Sequence, residues 1–133
     1  MSRAAILLVD DERTILTSLK AQLKNLFGRR FSYETAESVP EAWEVLDELV
    51  EDGVSVVVIV SDWLMPEVRG DQFLTDVRSR YPGIVRIMLT GQADPEAIER
   101  AHTEAKVYRV LQKPWSPEEL RGTIEGGLSA RTG

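Results

Sequence analysis

Three aspartates, a threonine and a lysine each stand at the end of a short apolar run and could together handle a phosphoryl group. Asp10 and Asp11 come directly after the first run, Asp62 comes after the third, Thr90 closes the fourth, and Lys113 follows the fifth. Carboxylates that lie close together raise one another's pKa, and a bound cation relieves that conflict. Oxygen ligands without histidine or cysteine favour Mg²⁺. One aspartate could then attack phosphorus as a nucleophile, while Lys113 and Thr90 bind the phosphoryl oxygens.

Each of these residues also has a purely structural interpretation. Asp11 could cap the first helix, Asp62 could open a turn ahead of Met65-Pro66, Thr90 precedes Gly91 as in many loops, and Lys113 could simply be solvated. The functional interpretation is preferred because the five residues occur together, each at the end of a run.

The elements that must position these residues follow an alternating pattern. Short apolar runs alternate with stretches of helical periodicity in five successive units, which is typical of an α/β fold. The runs at 4–9 and 54–60 are continuous and the run at 84–89 is nearly so, which predicts central parallel strands. The runs at 31–36 and 107–111 are more mixed, which predicts strands nearer an edge.

Helix boundaries are marked by capping residues. Ser38 with Glu41, and Ser116 with Glu119, form capping-box patterns, and Asp94 precedes a proline at a predicted helix start. A further helix is predicted from about residue 71 to 81. The last helix contains three glycines, each costing about 1 kcal/mol relative to alanine, so we expect it to depend on docking through the apolar stripe Leu120, Ile124 and Leu128.

In an open parallel sheet all strands point the same way, so residues just past the strand ends share one edge of the sheet. If the first and third strands are neighbours, as in the strand order 2-1-3-4-5, then Asp10, Asp11 and Asp62 converge where the winding reverses. We therefore expect a five-stranded parallel sheet in this order, with helices on both faces.

Four motifs in register resemble the receiver domains of two-component response regulators: residues 7–12 (LLVDDE), 61–66 (SDWLMP), 89–91 (LTG) and 113–114 (KP). The resemblance covers essentially the whole chain and implies a flavodoxin-like fold in a single domain, residues 1–133. It also implies that Asp62 is phosphorylated by a histidine kinase or phosphotransfer protein. By the same resemblance Asp10, Asp11 and the Trp63 carbonyl would bind Mg²⁺, Thr90 and Lys113 would bind the phosphoryl oxygens, and Lys113-Pro114 would be cis.

The chain departs from the family pattern at one switch position. Receivers usually carry an aromatic residue three positions before the lysine, where this chain has Val110. Tyr108 lies on the same face of the predicted strand and is a candidate substitute, beside Thr90 and Val110 as the other switch candidates. Leu64 and Gln92 occupy positions that tune the lifetime of the phosphoryl group in the family.

The resemblance also suggests partners. Residues 90–115, and especially 108–115, look like receivers attached to cyclic-dinucleotide phosphodiesterases or sensor kinases. Phosphorylation is expected to shift the surface of the fourth helix, fifth strand and fifth helix, which would bind an output domain or a downstream protein and could form a homodimer. The chain would be either a stand-alone receiver or a piece of a longer regulator.

Composition excludes several other classes. The 133 residues suit one domain, and the absence of cysteine excludes disulfides and thiolate metal sites. No apolar run approaches the roughly 20 residues of a membrane helix, and the formal net charge of -6 disfavours nucleic acid. We expect a cytoplasmic signalling protein and not a metabolic enzyme.

Three alternatives come from other functional classes. A phosphatase of the dehalogenase type needs a second acid two residues after its nucleophile. Leu64 stands two residues after Asp62 and argues against this class, whereas Glu12 stands two residues after Asp10 and keeps it open. A nucleotide-binding protein is the second alternative, but no glycine-rich nucleotide-binding loop follows the first strand. A receiver-like module that binds its partner without phosphorylation remains open.

Overall fold

The computed structural model describes residues 3–91 and 95–132. Its elements alternate strictly along this part of the chain, as the hydrophobic pattern predicts. In order they are β1 (Ala4–Val9), α1 (Arg13–Phe27), a 3-10 turn (Gly28–Arg30), β2 (Ser32–Ala36), α2 (Val39–Glu51), β3 (Ser55–Asp62), α3 (Gly70–Arg80), β4 (Val85–Thr90), α4 (Pro95–Thr103), β5 (Arg109–Gln112) and α5 (Pro117–Thr132).

The five strands form one parallel sheet in the order β2-β1-β3-β4-β5, which confirms the predicted topology. Helices α1 and α5 cover one face through Leu19, Leu23 and Ile124, and α2, α3 and α4 cover the other through Leu46 and Phe73. The central strands β1, β3 and β4 are mostly apolar because both of their faces are buried. Among residues 3–91 and 95–132, no helix combines the length and apolar character needed to cross a bilayer.

Two strand boundaries differ by two residues from the sequence-based expectation, and the others agree to within one residue. The third strand continues past residue 60, so Asp62 is the last residue of β3 and not part of the following loop. The fifth strand begins only at Arg109, because the Val107 amide donates to the Ala101 carbonyl at the end of α4 instead of joining the sheet. Both shifts leave the polar residues at the same edge of the sheet.

The predicted caps are mostly present. Ser116 and Glu119 form both hydrogen bonds of a capping box at the start of α5. At α2 the Ser38 hydroxyl accepts from the Glu41 amide, but the Glu41 carboxylate accepts from the Glu37 amide and not from Ser38, so that box is displaced by one residue. The predicted cap Asp94 lies outside the described residues.

The last helix docks as expected. Leu120 and Ile124 are fully buried and Leu128 packs against the same cluster. A methyl group on Gly126 would overlap the Tyr108 hydroxyl, and one on Gly127 would lie 2.6 Å from Val85 Cγ1. These two glycines therefore let the helix approach β4 and the start of β5 closely.

Candidate functional site

The carboxyl ends of β1 and β3 bring three carboxylates together. Val9 pairs with Ser61, so the residues that follow this pair along the chain, Asp10 and Asp62, lie side by side. Asp10, Asp11 and Asp62 each offer an oxygen atom, and these atoms lie within 4.8 Å of one another. Asp10 and Asp62 are buried whereas Asp11 is exposed. The strand order thus brings together three residues that are 52 positions apart at the most, as the sequence predicts.

Lys113 supplies the positive charge of this cluster. Its ammonium nitrogen lies 2.8 Å from Asp62 Oδ1 and 3.2 Å from Asp10 Oδ2. The Lys113 amide donates to the Thr90 carbonyl, which holds the backbone at this position. The Lys113-Pro114 peptide bond is cis, as the family resemblance implies. Lys113 therefore reaches across the sheet from β5 to β3 and β1.

Burial and mutual repulsion make the carboxylates reluctant to ionise. Desolvation raises the pKa of Asp10 from 3.8 to about 6, with a further increase from the Asp62 charge, against the lowering effects of the Glu12 amide and Lys113. The pKa of Asp62 is also raised, first by burial and then by Asp11. Burial lowers the pKa of Lys113, but its hydrogen bonds and charge interactions with Asp62 and Asp10 outweigh that effect and leave the pKa raised.

The carboxylate cluster opens into a cleft of about 660 Å³. Thr90, the last residue of β4, lines this cleft beside Asp62 and Lys113. Leu64 also lines it with an exposed fraction of 65%. Gln92, the other predicted lifetime position, lies outside the described residues. The cleft gives a small phosphate-bearing molecule access to Asp62 from solvent.

Backbone and side-chain chemistry at the site fit a hard divalent cation. One ammonium against three carboxylates leaves an excess of negative charge that a divalent ion would neutralise, and all the available ligands are oxygens. The Trp63 carbonyl accepts from the Gly70 amide at 2.7 Å, and its second lone pair can still serve a metal. Asp11 does not cap α1, which begins after Glu12 without a side-chain cap. The structural interpretation of Asp11 is therefore wrong.

Residues 6–125 match the family model of the response regulator receiver domain. This chain is a response regulator receiver domain.

Among curated relatives of this receiver, the hydrogenase transcriptional regulatory protein HoxA of Cupriavidus necator is 36% identical over 129 residues, which is 97% of this chain and 25% of HoxA. The receiver thus spans about a quarter of that regulator's length. The chemotaxis protein CheY1 of Helicobacter pylori is 33% identical over 125 residues, 90% of this chain and 93% of CheY1. A solved signal receiver domain of an HD domain-containing protein from Pseudomonas fluorescens superimposes with a TM-score of 0.86 at 30% identity, covering 98% of each chain.

The receiver's aromatic switch candidate points away from the cleft. Gln112 pairs with Thr90, whereas the Tyr108 amide pairs with the Arg86 carbonyl, four residues earlier along the strand. The Tyr108 ring packs on α5 at Gly126. Val110 packs partly buried against the core cluster beneath α3 and α4. Tyr108 therefore does not contact Thr90 in this structure, and Val110 occupies the position nearer to it.

The sequence interpretation missed three residues that surround the loop after β3, which begins at Trp63. A methyl group on Gly70 would overlap the Asp62 carbonyl oxygen and lie 2.9 Å from the Trp63 Cα, so α3 begins directly against the acceptor peptide. Asp71 accepts from the Trp63 indole, and Arg100 of α4 pairs with Asp71. Gly70 at the start of α3 is a sequence signal for close packing. No local pattern connects Asp71 with Arg100, because the two residues lie 29 positions apart.

Proposed function

We propose that this receiver is a phosphoacceptor switch of a two-component phosphorelay, with Asp62 as the acceptor. The observation that carries the proposal is the buried Asp62 carboxylate, 2.8 Å from Lys113 and within the acidic cluster that opens into the cleft. The family is a signalling family, and the proposed chemistry is one phosphoryl transfer and its hydrolysis, not metabolic turnover.

The transfer follows from the geometry of these groups. An Asp62 oxygen attacks the phosphorus of a phosphohistidine on a histidine kinase or phosphotransfer protein. The bond from phosphorus to the imidazole nitrogen breaks, and the histidine leaves as a neutral imidazole after taking up a proton. Lys113 and Thr90 bind the phosphoryl oxygens, which develop charge in the transition state. Mg²⁺ held by Asp10, Asp11, Asp62 and the Trp63 carbonyl would neutralise charge on the acceptor and the phosphoryl group.

Phosphorylation would act on the α4, β5 and α5 surface through Lys113 and Thr90. The Lys113 amide already bonds to the Thr90 carbonyl, so a phosphoryl group that draws both side chains inward also pulls on β4 and β5. New charge-assisted contacts would shift the population between two packings of that surface. The partners would be an output domain or a downstream protein, including a cyclic-dinucleotide or sensor-kinase module, and a second copy of the receiver.

Phosphoryl uptake tests the proposal. The wild-type protein is incubated with Mg²⁺ and a small phosphodonor such as acetyl phosphate, and its intact mass is measured. We expect one acid-stable, base-labile phosphoryl group in the wild type and in Asp76→Asn, an exposed control on α3, and none in Asp62→Asn. Uptake by Asp62→Asn, or none by the wild type, would contradict the proposal. The latter result would favour a module that binds its partner without phosphorylation.

Amide exchange tests the switch separately. With beryllium fluoride as a phosphoryl mimic, we expect altered protection in β4, α4 and β5. Unchanged protection across residues 90–115 would count against a shift of this surface.

A further inference from the structure

Asp71 is a buried carboxylate that connects three elements of the receiver. It lies in the first turn of α3, and its side chain is 5% exposed. Its Oδ1 accepts from the Trp63 indole at 3.1 Å, and its Oδ2 accepts from Arg100 Nε at 3.1 Å. Asp71 thus bridges the loop after β3 to helix α4, and neither contact involves the acidic cluster.

The acceptor loop is held to α3 at its backbone as well. The Trp63 amide donates to the Leu89 carbonyl, and the Trp63 carbonyl accepts from the Gly70 amide. Gly70 lies so close to the Asp62 carbonyl that a side chain would not fit. The backbone hydrogen bonds hold the peptide groups of Trp63, and the hydrogen bond from its indole to Asp71 attaches the same residue to α3 a second time, through its side chain.

The second oxygen of Asp71 extends this connection to α4. Arg100 is 31% exposed and Asp71 is almost fully buried, so the pair is better shielded from solvent than an ordinary surface ion pair. A second cation, Arg69, is farther away, with its Nε 3.6 Å from Asp71 Oδ1. A displacement of α4 is therefore transmitted to Trp63 through one carboxylate.

We propose that Asp71 is a positioning residue that orients the Trp63 carbonyl toward the metal and ties that orientation to the place of α4 through Arg100. The inference rests on the proposed function, because it assigns the Trp63 carbonyl to Mg²⁺. It adds a route from α4 to the acceptor site that passes neither through Thr90 nor through the switch position at Val110.

Indole resonances provide a test that is independent of phosphorylation. The ¹⁵N-labelled protein contains three tryptophans, and Trp63→Phe assigns the Trp63 indole signal. In the metal-free protein we expect Asp71→Asn to move this signal and to leave those of Trp43 and Trp115 in place. The same spectra, recorded during a titration with Mg²⁺, give the dissociation constant. We expect Asp71→Asn to bind Mg²⁺ about 10-fold more weakly than the wild type, the low end of the effect of removing an outer partner of a metal ligand.

Two further variants complete the experiment. Asp76→Asn makes the same chemical change at an exposed position of α3 and should bind Mg²⁺ within about twofold of the wild type. Arg100→Gln keeps Asp71 and removes its nearer cation. It should move the Trp63 signal and weaken Mg²⁺ binding by about threefold to fivefold, because the support of an outer partner is partly lost. Because Arg100 is partly exposed, this variant carries the test if Asp71→Asn does not fold.

The outcomes separate the two proposals. A wild-type protein that shows no response to Mg²⁺ would overturn the proposed function and this inference together. A wild type that binds Mg²⁺, with variants at positions 71 and 100 that bind equally well or leave the Trp63 signal unmoved, would overturn this inference alone.

Discussion

Removing the Asp10 carboxylate should stabilise the metal-free receiver at neutral pH. Burial raises the pKa of Asp10 from 3.8 to about 6, so the folded protein resists its ionisation. Below about pH 4 the carboxyl is protonated in the folded and in the unfolded protein, so the raised pKa costs no stability. As the pH rises through about 6 the folded protein must ionise this group, and the free energy of unfolding falls. Since one pKa unit corresponds to about 1.4 kcal/mol, a shift of this size costs the ionised protein about 3 kcal/mol.

Asp10→Asn removes this cost and keeps an oxygen that can accept from the Glu12 amide. In EDTA at about pH 7.5 we expect its free energy of unfolding to exceed the wild-type value by about 2–3 kcal/mol. The difference should shrink steadily as the pH falls from about 6 to about 4, where the wild-type carboxyl is protonated as well. Urea unfolding across this pH range measures the effect.

Two controls complete the experiment. Asp76→Asn removes one exposed negative charge and should change the free energy of unfolding by less than about 0.5 kcal/mol. Mg²⁺ should stabilise the wild type by mass action but have little effect on Asp10→Asn, which lacks a ligand. If Asp10→Asn is no more stable than the wild type at about pH 7.5, or if its advantage does not depend on pH, the electrostatic reasoning is refuted.

Further substitutions test the site and the packing of α5. Lys113→Met should lower the free energy of unfolding by about 3 kcal/mol in EDTA, because two buried carboxylates lose their shared cation. Urea unfolding measures this change, and a loss under about 1 kcal/mol would contradict the assigned pairing. Gly70→Ala should lower the melting temperature and weaken Mg²⁺ binding, since its methyl group meets the acceptor peptide, whereas Gly83→Ala, with open space around it, should do neither. Gly122→Ala should stabilise α5 by up to about 1 kcal/mol. Gly126→Ala should give no such gain, because its methyl group meets the Tyr108 ring; equal thermal shifts for these two variants would exclude that contact.

The sequence predicts those features of the site that depend on strand ends. Asp10, Asp62, Thr90 and Lys113 each stand where an apolar run stops, and a parallel sheet brings such positions to one edge whatever the helices do. For the same reason, errors of one or two residues in the strand boundaries did not displace the predicted site.

Contacts between side chains on different helices could not be predicted. Asp71 and Arg100 read as ordinary polar residues of α3 and α4, and only the packing of those helices brings them together. The glycines of α5 predict a weak helix, whereas the structure shows that two of them admit the Tyr108 ring and Val85. Strand alternation places Tyr108 on the same face as Val110, but Tyr108 precedes β5 and its ring packs on α5, whereas Val110 packs beneath α3 and α4. The prediction of a shared face is therefore wrong, and alternation also gives no distance from Thr90 along the strand.

A crystal structure grown with Mg²⁺ and beryllium fluoride would test the central claim most directly. The account predicts beryllium fluoride on the Asp62 carboxylate, Mg²⁺ bound by Asp10, Asp11 and the Trp63 carbonyl, and Lys113 and Thr90 in contact with fluorine. A cleft without either ion, with the three carboxylates moved apart, would contradict it.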